Sequence, residues 1–192
     1  MNINLLKTMF SHAIFLPFLI VNHVDADIVG TPSINVTFTS TIEAGTCATV
    51  LKDASGATAS VIDFKDVFRS DLDKKNRKED FKIVFSSCAG VKSANITTAQ
   101  SSCSGGASDG DSFANSGGTA AATAVEIWKE QPDSGVQFSC KNKGSGQNIA
   151  LTSASDTEIN LTARMVIAKG RSASEVTAGS FSAPVTFLIT YQ

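Results

Sequence analysis

Four cysteines, at positions 47, 88, 103 and 140, are the side chains whose number and spacing point to a definite chemistry. An even number of cysteines in an exported chain indicates disulfide bonds, and four cysteines allow three pairings. We favour Cys47–Cys88 with Cys103–Cys140, because each loop then holds roughly 40 residues and encloses its own structural unit. The cysteines are too widely spaced to form the CxxC pairs typical of zinc sites, so we expect no metal site.

The N-terminal 26 residues have the pattern of a secretory signal peptide. Lys7 supplies a positive charge, an apolar stretch follows, and Val24-Asp25-Ala26 brings small residues to the spacing of a cleavage site. Cleavage after residue 26 would remove His12 and His23, which are the two histidines of the sequence. The mature chain would then hold no imidazole, which excludes Ser-His-Asp and Cys-His catalysis and histidine-based zinc sites. We expect no catalytic residues and no cofactor.

The charges are nearly balanced, with 16 Lys and Arg residues against 18 Asp and Glu residues. Such a chain has no basic field to attract nucleic acid, so we expect no nucleic-acid partner. The low charge, the 14 glycines and the many Ser and Thr residues are typical of a β-rich extracellular domain.

Short segments of alternating or continuous apolar residues recur along the chain, with turn residues between them. These predicted strands cover residues 34–42, 61–64, 81–85, 124–128, 135–140, 148–151, 159–167 and the C-terminal segment. Many short strands at this spacing predict an all-β sandwich. Two segments break the pattern. Residues 69–82 mix both charge signs and predict a solvated loop or a one-turn helix, and the Ser/Gly-rich residues 101–119 predict a mobile surface loop tied down at Cys103.

The C-terminal strand is apolar on one side. Val185, Phe187, Ile189 and Tyr191 alternate with polar or mixed neighbours, and the sequence ends at Gln192. We expect this strand either to be covered by a returning segment or to present an open edge to another chain.

Five of these segments follow one another in the order found in a known family. They are residues 36–42 leading to Cys47, residues 61–64, residues 81–85 leading to Cys88, residues 159–165, and Gly179 followed by the closing strand with its penultimate Tyr191. In this order the chain resembles the pilin subunits of the chaperone–usher fimbriae of Gram-negative bacteria. The second cysteine pair and the long Ser/Gly loop are not part of the common pattern of that family.

The resemblance implies an incomplete immunoglobulin-like β-sandwich that lacks its final strand. A donor strand from another subunit or from a chaperone completes such a sandwich by strand addition. The acceptor groove would then lie along Val185, Phe187, Ile189 and Tyr191. The resemblance also supports the Cys47–Cys88 pairing, because these positions match the family's disulfide.

Residues 27–36 supply a candidate donor strand ahead of a pilin domain that we place at residues 37–192. Ten residues span roughly 30 Å at about 3.3 Å per residue, enough to cross a small sandwich. Side chains at strand period mark the segment: Ile28, Gly30, Pro32, Ile34 and Val36. Pro32 lacks an N–H group and must sit where the ladder needs no donor.

The sequence therefore predicts a structural subunit of an adhesive surface fimbria that polymerises by donor-strand exchange. The partners implied are a periplasmic chaperone, an outer-membrane usher and neighbouring subunits, with export through the periplasm to the cell surface. One alternative is a minor or adaptor subunit that binds a host receptor. A second alternative, of another class, is a secreted immunoglobulin-like glycoprotein carrying glycans at Asn35, Asn95 and Asn160.

Overall fold

The computed structural model describes residues 37–41, 44–104, 110–141 and 146–192. The chain divides into two compact units, Met1–Thr41 and Ile42–Gln192. In the first unit, residues 37–41 have no regular secondary structure, and the Phe38 side chain is 92% exposed. The strand predicted over residues 34–42 is therefore not formed at 37–41, where no described residue pairs with the backbone.

The second unit is built almost entirely from β-strands. Its described residues form β1 (Thr46–Asp53), α1 (Arg69–Asp73), β2 (Lys78–Ala89), β3 (Ser93–Thr98), β4 (Phe113–Ala114), β5 (Thr123–Lys129), β6 (Val136–Phe138), β7 (Gln147–Ala150), β8 (Thr157–Ile167), a 3-10 turn (Ala173–Glu175) and β9 (Phe187–Tyr191). In the part of the chain that is described, no helix has the length and apolar character needed to cross a bilayer.

The strands form two antiparallel sheets. The larger sheet has the order β1-β2-β8-β5-β4, with β6 also paired to β5. The smaller sheet has the order β7-β3-β9. The antiparallel β2–β8 pairing sets Phe81 opposite Leu161 and Ile83 opposite Ile159, which aligns the apolar faces of both strands.

The core lies between the two sheets. Phe85 of β2, Ile96 of β3 and Leu161 of β8 are almost completely buried. Aromatic rings join the sheets: Phe85 meets Tyr191 edge to face at 6.4 Å between centroids, and Phe138 meets Phe187 at 5.5 Å. The C-terminal strand thus contributes its odd-numbered side chains to the shared core, as its alternation predicts.

Most predicted strands are confirmed, with bounds shifted by a few residues. Segments 81–85, 124–128, 135–140, 148–151 and 159–167 correspond to β2, β5, β6, β7 and β8. The pattern misses β1 and β3. Strand β3 turns Ala94, Ile96 and Thr98 inward, and two of these are small or hydroxylated, so its apolar signal is weak. The Thr98 hydroxyl is nevertheless satisfied, because it donates to the Ser139 carbonyl at 2.6 Å.

The Ser/Gly-rich segment is not simply a surface loop. Phe113 lies within it, forms part of β4 and is 1% exposed. Its neighbourhood is hydrogen-bonded, since the Ser139 hydroxyl donates to the Asp111 carboxylate at 2.6 Å and Ser104 N–H donates to the Ser112 carbonyl at 3.0 Å. The expectation of a mobile surface loop is therefore wrong for these residues, because one aromatic side chain anchors the segment in the core. The mixed-charge segment does begin with a one-turn helix, α1, but from Lys78 onward it belongs to β2.

An ion-pair cluster around one buried arginine lies on the outer face of the larger sheet. Arg164 on β8 is 4% exposed. Its guanidinium donates to Glu126 on β5 at 2.6 and 3.0 Å and to Asp133, beyond β5, at 2.5 and 2.7 Å. It also lies 5.8 Å from the ring centroid of Trp128. Hydrogen bonds to Asp133 and Glu126 raise the pKa of Arg164, and the bond from Arg164 lowers the pKa of Asp133.

Replacing Arg164 by leucine should destabilise the fold by about 3 kcal/mol, because the Glu126 carboxylate, whose side chain is 13% exposed, would lose its charged partner and keep the hydrogen bond from Trp128 Nε1. Replacing both Arg164 and Glu126 by leucine should restore part of that loss. The control is Arg171→Ala, which breaks an exposed pair with Glu175 and should cost less than about 1 kcal/mol. Urea unfolding measures all three variants, and equal costs for Arg164→Leu and Arg171→Ala would contradict the role of the cluster.

Candidate functional site

An apolar groove runs between two stretches of irregular backbone in the second unit. Residues 60–68, called here the first rim, line one side, and residues 176–187, called the C-terminal rim, line the other. The cavity between them has a volume of about 1100 Å³. The predicted strand at 61–64 and the first part of the predicted C-terminal strand both fall on these rims, and neither rim forms a strand before Phe187.

The first rim has the side-chain alternation of a strand without the pairing. Ile62 and Phe64 turn towards the core, whereas Val61 is 73% exposed. Asp63 also faces solvent and accepts a hydrogen bond from the Lys65 ammonium at 2.7 Å, which lowers the pKa of Asp63. Lys65 adopts a φ of 56°, which ends the extended run. No described residue forms a main-chain ladder with this rim, so the alternating segment stays irregular.

Among the described residues, the main-chain partners of the C-terminal rim bond to alternate positions. The carbonyls of Ser180, Ser182 and Thr186 accept from the N–H groups of Thr119, Gly117 and Ala99, none of which belongs to the first rim. In an extended chain, successive main-chain groups point to opposite edges, so those of Phe181, Ala183 and Val185 point towards the groove. Among the described residues none hydrogen-bonds to the main chain of these three. With respect to the described residues, the rim thus presents a row of main-chain donors and acceptors without partners.

The floor of the groove is the apolar face of the larger sheet. It consists of side chains from β1, β2, β5 and β8, namely Leu51, Phe81, Val125, Ile127, Ala163 and Met165. Charged side chains occur on the first rim but not on this floor. In the described part of the chain, no group of His, Cys, Asp and Glu residues is placed to hold a metal ion. The groove is therefore suited to an extended segment with apolar side chains at strand period.

Two of the four predicted acceptor residues line the cavity. Val185 and Phe187 do so, whereas Ile189 and Tyr191 lie beyond its end. Tyr191 instead reaches across to β1, where its hydroxyl donates to the Cys47 carbonyl at 3.3 Å and lies 2.9 Å from the Thr49 hydroxyl. The predicted donor residues Ile28, Gly30, Pro32, Ile34 and Val36 lie outside the described residues.

Both disulfides have the pairing favoured from the sequence. Cys47–Cys88 links the start of β1 to the end of β2, and Cys103–Cys140 links the segment after β3 to the residues after β6. Cys88 and Cys140 are 5% and 0% exposed. The first bridge holds β1 beside Tyr191, next to the end of the groove.

Half of the groove was not predicted from the sequence. The acceptor role was assigned to the last strand alone, although Phe181 and Ala183 continue the same alternation towards the N-terminus. Residues 61–64 were predicted to be an ordinary strand. The alternation of the first rim places Ile62 and Phe64 on the same side of an extended segment. This pattern predicts one buried face, and no neighbouring strand was predicted to pair with the segment, which together could have identified the first rim.

Comparisons with known proteins agree with this geometry. The sequence pattern of the family described as "Fimbrial protein" matches residues 36–192. The uncharacterized fimbrial-like protein YadL of Escherichia coli (strain K12) is 40% identical over 173 residues, covering 84% of this chain and 85% of that protein.

Solved structures share the fold. The crystal structure of the P pilus rod subunit PapA matches with a TM-score of 0.55 at 20% identity, covering 76% of this chain and 99% of PapA. A chaperone–usher pilus structure concerned with rod uncoiling matches with a TM-score of 0.50 at 20% identity, covering 87% of this chain and all of that chain.

An immunoglobulin-like sandwich of this kind defines a pilin-type subunit, which has a structural role and is not an enzyme. The chain belongs to the fimbrial protein family and is a fimbrial subunit. Fimbrial proteins form surface pili, so this chain is exported to the cell surface.

Phe187→Asp should prevent stable folding, because the carboxylate would enter the groove between Phe81 and Phe138 at a cost of several kcal/mol. The matched control is Leu188→Asp, since Leu188 is the next residue, is 43% exposed and points away from the core. Soluble yield and urea unfolding report the difference. Similar behaviour of the two variants would show that Phe187 does not form part of a buried groove wall.

Proposed function

We propose that this protein is a structural subunit that polymerises by donor-strand exchange. In this reaction the N-terminal extension of one subunit fills the groove of the next. The proposal rests on the fimbrial family membership and on the geometry of the groove.

A single observation supports the proposal most strongly: the main chain of the C-terminal rim faces an apolar cavity without a partner among the described residues. An added strand would satisfy the main-chain groups of Phe181, Ala183 and Val185, and its side chains would cover the floor. Both gains are large, since unpaired buried backbone groups and exposed apolar area each cost free energy. Strand addition is the mode of recognition in which main-chain hydrogen bonds give affinity and alternate side chains give specificity.

The donor we propose is the segment 27–36 of a neighbouring subunit. Ile28, Ile34 and Val36 lie on one side of an extended strand and can face the floor. Gly30 and Pro32 lie on the same side. The C-terminal rim from Phe181 to Phe187 spans about 23 Å at roughly 3.3 Å per residue. The extension is therefore long enough to occupy residues 181–187 of the rim and still leave residues to connect to its own domain.

The same groove explains why a periplasmic chaperone and an outer-membrane usher would be needed. Before assembly, the open edge and apolar floor would promote aggregation between subunits. A chaperone that lends a strand would shield them during passage through the periplasm, and an usher would catalyse the replacement of that strand at the outer membrane.

Ile34→Asp should block donation and leave folding intact. The carboxylate would have to enter a neighbour's apolar groove, whereas the extension lies outside this subunit's own core. The matched control is Ser33→Asp, which places the same charge one residue away and on the opposite side of an extended strand. Electron microscopy of surface fimbriae, with immunoblots of periplasmic subunit, would measure assembly and folding separately.

We expect Ser33→Asp to retain fimbriae and Ile34→Asp to accumulate as folded, unassembled subunit. Normal incorporation of Ile34→Asp into fimbriae would refute polymerisation through this extension.

A further inference from the structure

The C-terminal rim is held in two parts by different neighbours. Close to β9, the Ala99 N–H donates to the Thr186 carbonyl at 2.9 Å, which continues the pairing of β3 with β9. Earlier in the rim, Ser180 and Ser182 bond to residues 115–121, a short segment after β4 that is called here the support segment. The first half of the rim therefore depends on a different part of the chain from the second half.

The main-chain groups of Ser180 and Ser182 all bond to the support segment. The Ser180 carbonyl accepts from the Thr119 N–H at 2.9 Å, and the Ser180 N–H donates to the Thr119 hydroxyl at 3.0 Å. The Ser182 carbonyl accepts from the Gly117 N–H at 3.0 Å, and the Ser182 N–H donates to Asn115 Oδ1 at 2.7 Å. The two serines thus share one edge of the rim.

Asn115 bonds to both serines through its side chain. Its Nδ2 donates to the Ser180 carbonyl at 3.0 Å and to the Ala120 carbonyl at 2.8 Å, while its Oδ1 accepts from the Ser182 N–H. The reverse orientation of the carboxamide would set its oxygen against two carbonyls, so the hydrogen bonds define which atom is which. The side chain therefore pairs with the rim as a peptide group of a neighbouring strand would, and the bond to Ala120 ties it to its own segment.

The support segment approaches the rim so closely that glycine is needed on both sides. A β-carbon at Gly118 would collide with the Ser180 carbonyl oxygen and with Asn115 Oδ1. A β-carbon at Gly179 would lie 2.6 Å from the Ala120 nitrogen, which is nearer than such atoms can pack. The bonds of Asn115 are thus made in a tightly fitted contact.

Fixing the two serines also fixes Phe181 and Ala183. Successive residues of an extended chain direct their main-chain groups to opposite edges and their side chains to opposite faces. Phe181 and Ala183 line the cavity and pack against the core, and a shift of one residue would replace them there by serines. The register held by Asn115 therefore decides which groups the first half of the rim offers to the groove.

We propose that Asn115 is a positioning residue that sets the register of the C-terminal rim at residues 180–183, so that this half of the rim can pair with an added strand. The inference rests on the proposed donor-strand mechanism. It adds a residue that does not line the groove and that determines whether the added strand pairs along the whole of residues 181–187.

The test uses the chain from residue 27 onward, with residues 27–36 repeated after Gln192 through a flexible Gly/Ser linker. The repeated strand can then fill the groove of its own molecule. The N-terminal copy carries Ile34→Asp, which keeps it from entering another molecule. Amide hydrogen exchange is measured residue by residue, as protection relative to an unfolded peptide of the same sequence.

Three substitutions are compared in this chain. Asn115→Ala removes every hydrogen bond of the side chain, whereas Asn115→Asp keeps its size and its acceptor but loses both donated bonds. The matched control is Asn148→Ala, which removes an exposed asparagine whose Oδ1 accepts from Asn95 on the smaller sheet.

Without these substitutions, the amides of Phe181, Ala183 and Val185 should all be protected by the added strand. In both Asn115 variants, exchange at Phe181 and Ala183 should become about tenfold faster, as expected for the loss of a hydrogen bond that supports pairing. Val185 should stay protected, because the pairing of β9 with β3 holds that part of the rim. The Asn148→Ala control should show no change at the three amides.

Two results would overturn the inference while donor-strand pairing stands. One is unchanged protection of Phe181 and Ala183 in the Asn115 variants. The other is an equal loss of protection at Val185 and in the middle of β2, which would indicate a purely structural role of Asn115. If none of the three rim amides is protected in the chain without these substitutions, the groove does not accept the strand, and the proposed function fails together with the inference.

Discussion

The structure depends on one constraint, which is that every β-strand edge buried against a core needs a hydrogen-bonding partner. Along most of this sandwich the constraint is met, since β2, β8 and β5 pair on both sides. At the groove it is not met by any described residue. Among the described residues, the C-terminal rim is bonded to residues 99 and 117–120 on one edge, and the first rim remains irregular although its side chains alternate.

Cross-links connect the elements around the groove. The Cys47–Cys88 bridge joins β1 to β2, and Arg69 of α1 donates a hydrogen bond to the Val176 carbonyl. On the outer face of the larger sheet, Arg164 links β8 to β5 and to the segment that follows. Under the proposed function, a strand from another chain would supply the main-chain partner that the described residues do not supply at this edge.

The sequence predicted the architecture because apolar alternation is strong where strands face the core. Strands β2 and β8 follow directly from Phe81, Ile83 and Leu161, and the pairing of the cysteines followed from their spacing and from the resemblance to pilins. Strand β3 was missed because Thr98 occupies a core position through a hydrogen bond to Ser139, which a hydropathy pattern cannot detect. The first rim was misread as an ordinary strand, because a sequence pattern reports which side chains are buried and not whether the backbone has a partner. Tyr191, an acceptor residue expected from the alternation, does not line the cavity, and its hydroxyl donates to the Cys47 carbonyl of β1.

Amide hydrogen exchange tests the central claim most directly, with the non-donating Ile34→Asp subunit, separated from any chaperone, as the monomer and wild-type fimbriae as the assembled state. If a donor strand completes the groove, the amides of Phe181, Ala183 and Val185 should exchange rapidly in the monomer and become protected in fimbriae. The amides in the middle of β2 should be protected in both states, because β1 and β8 already pair with that strand. Equal exchange at residues 181–185 in the monomer and in fimbriae would contradict the account, since the C-terminal rim would then gain no main-chain partner on assembly.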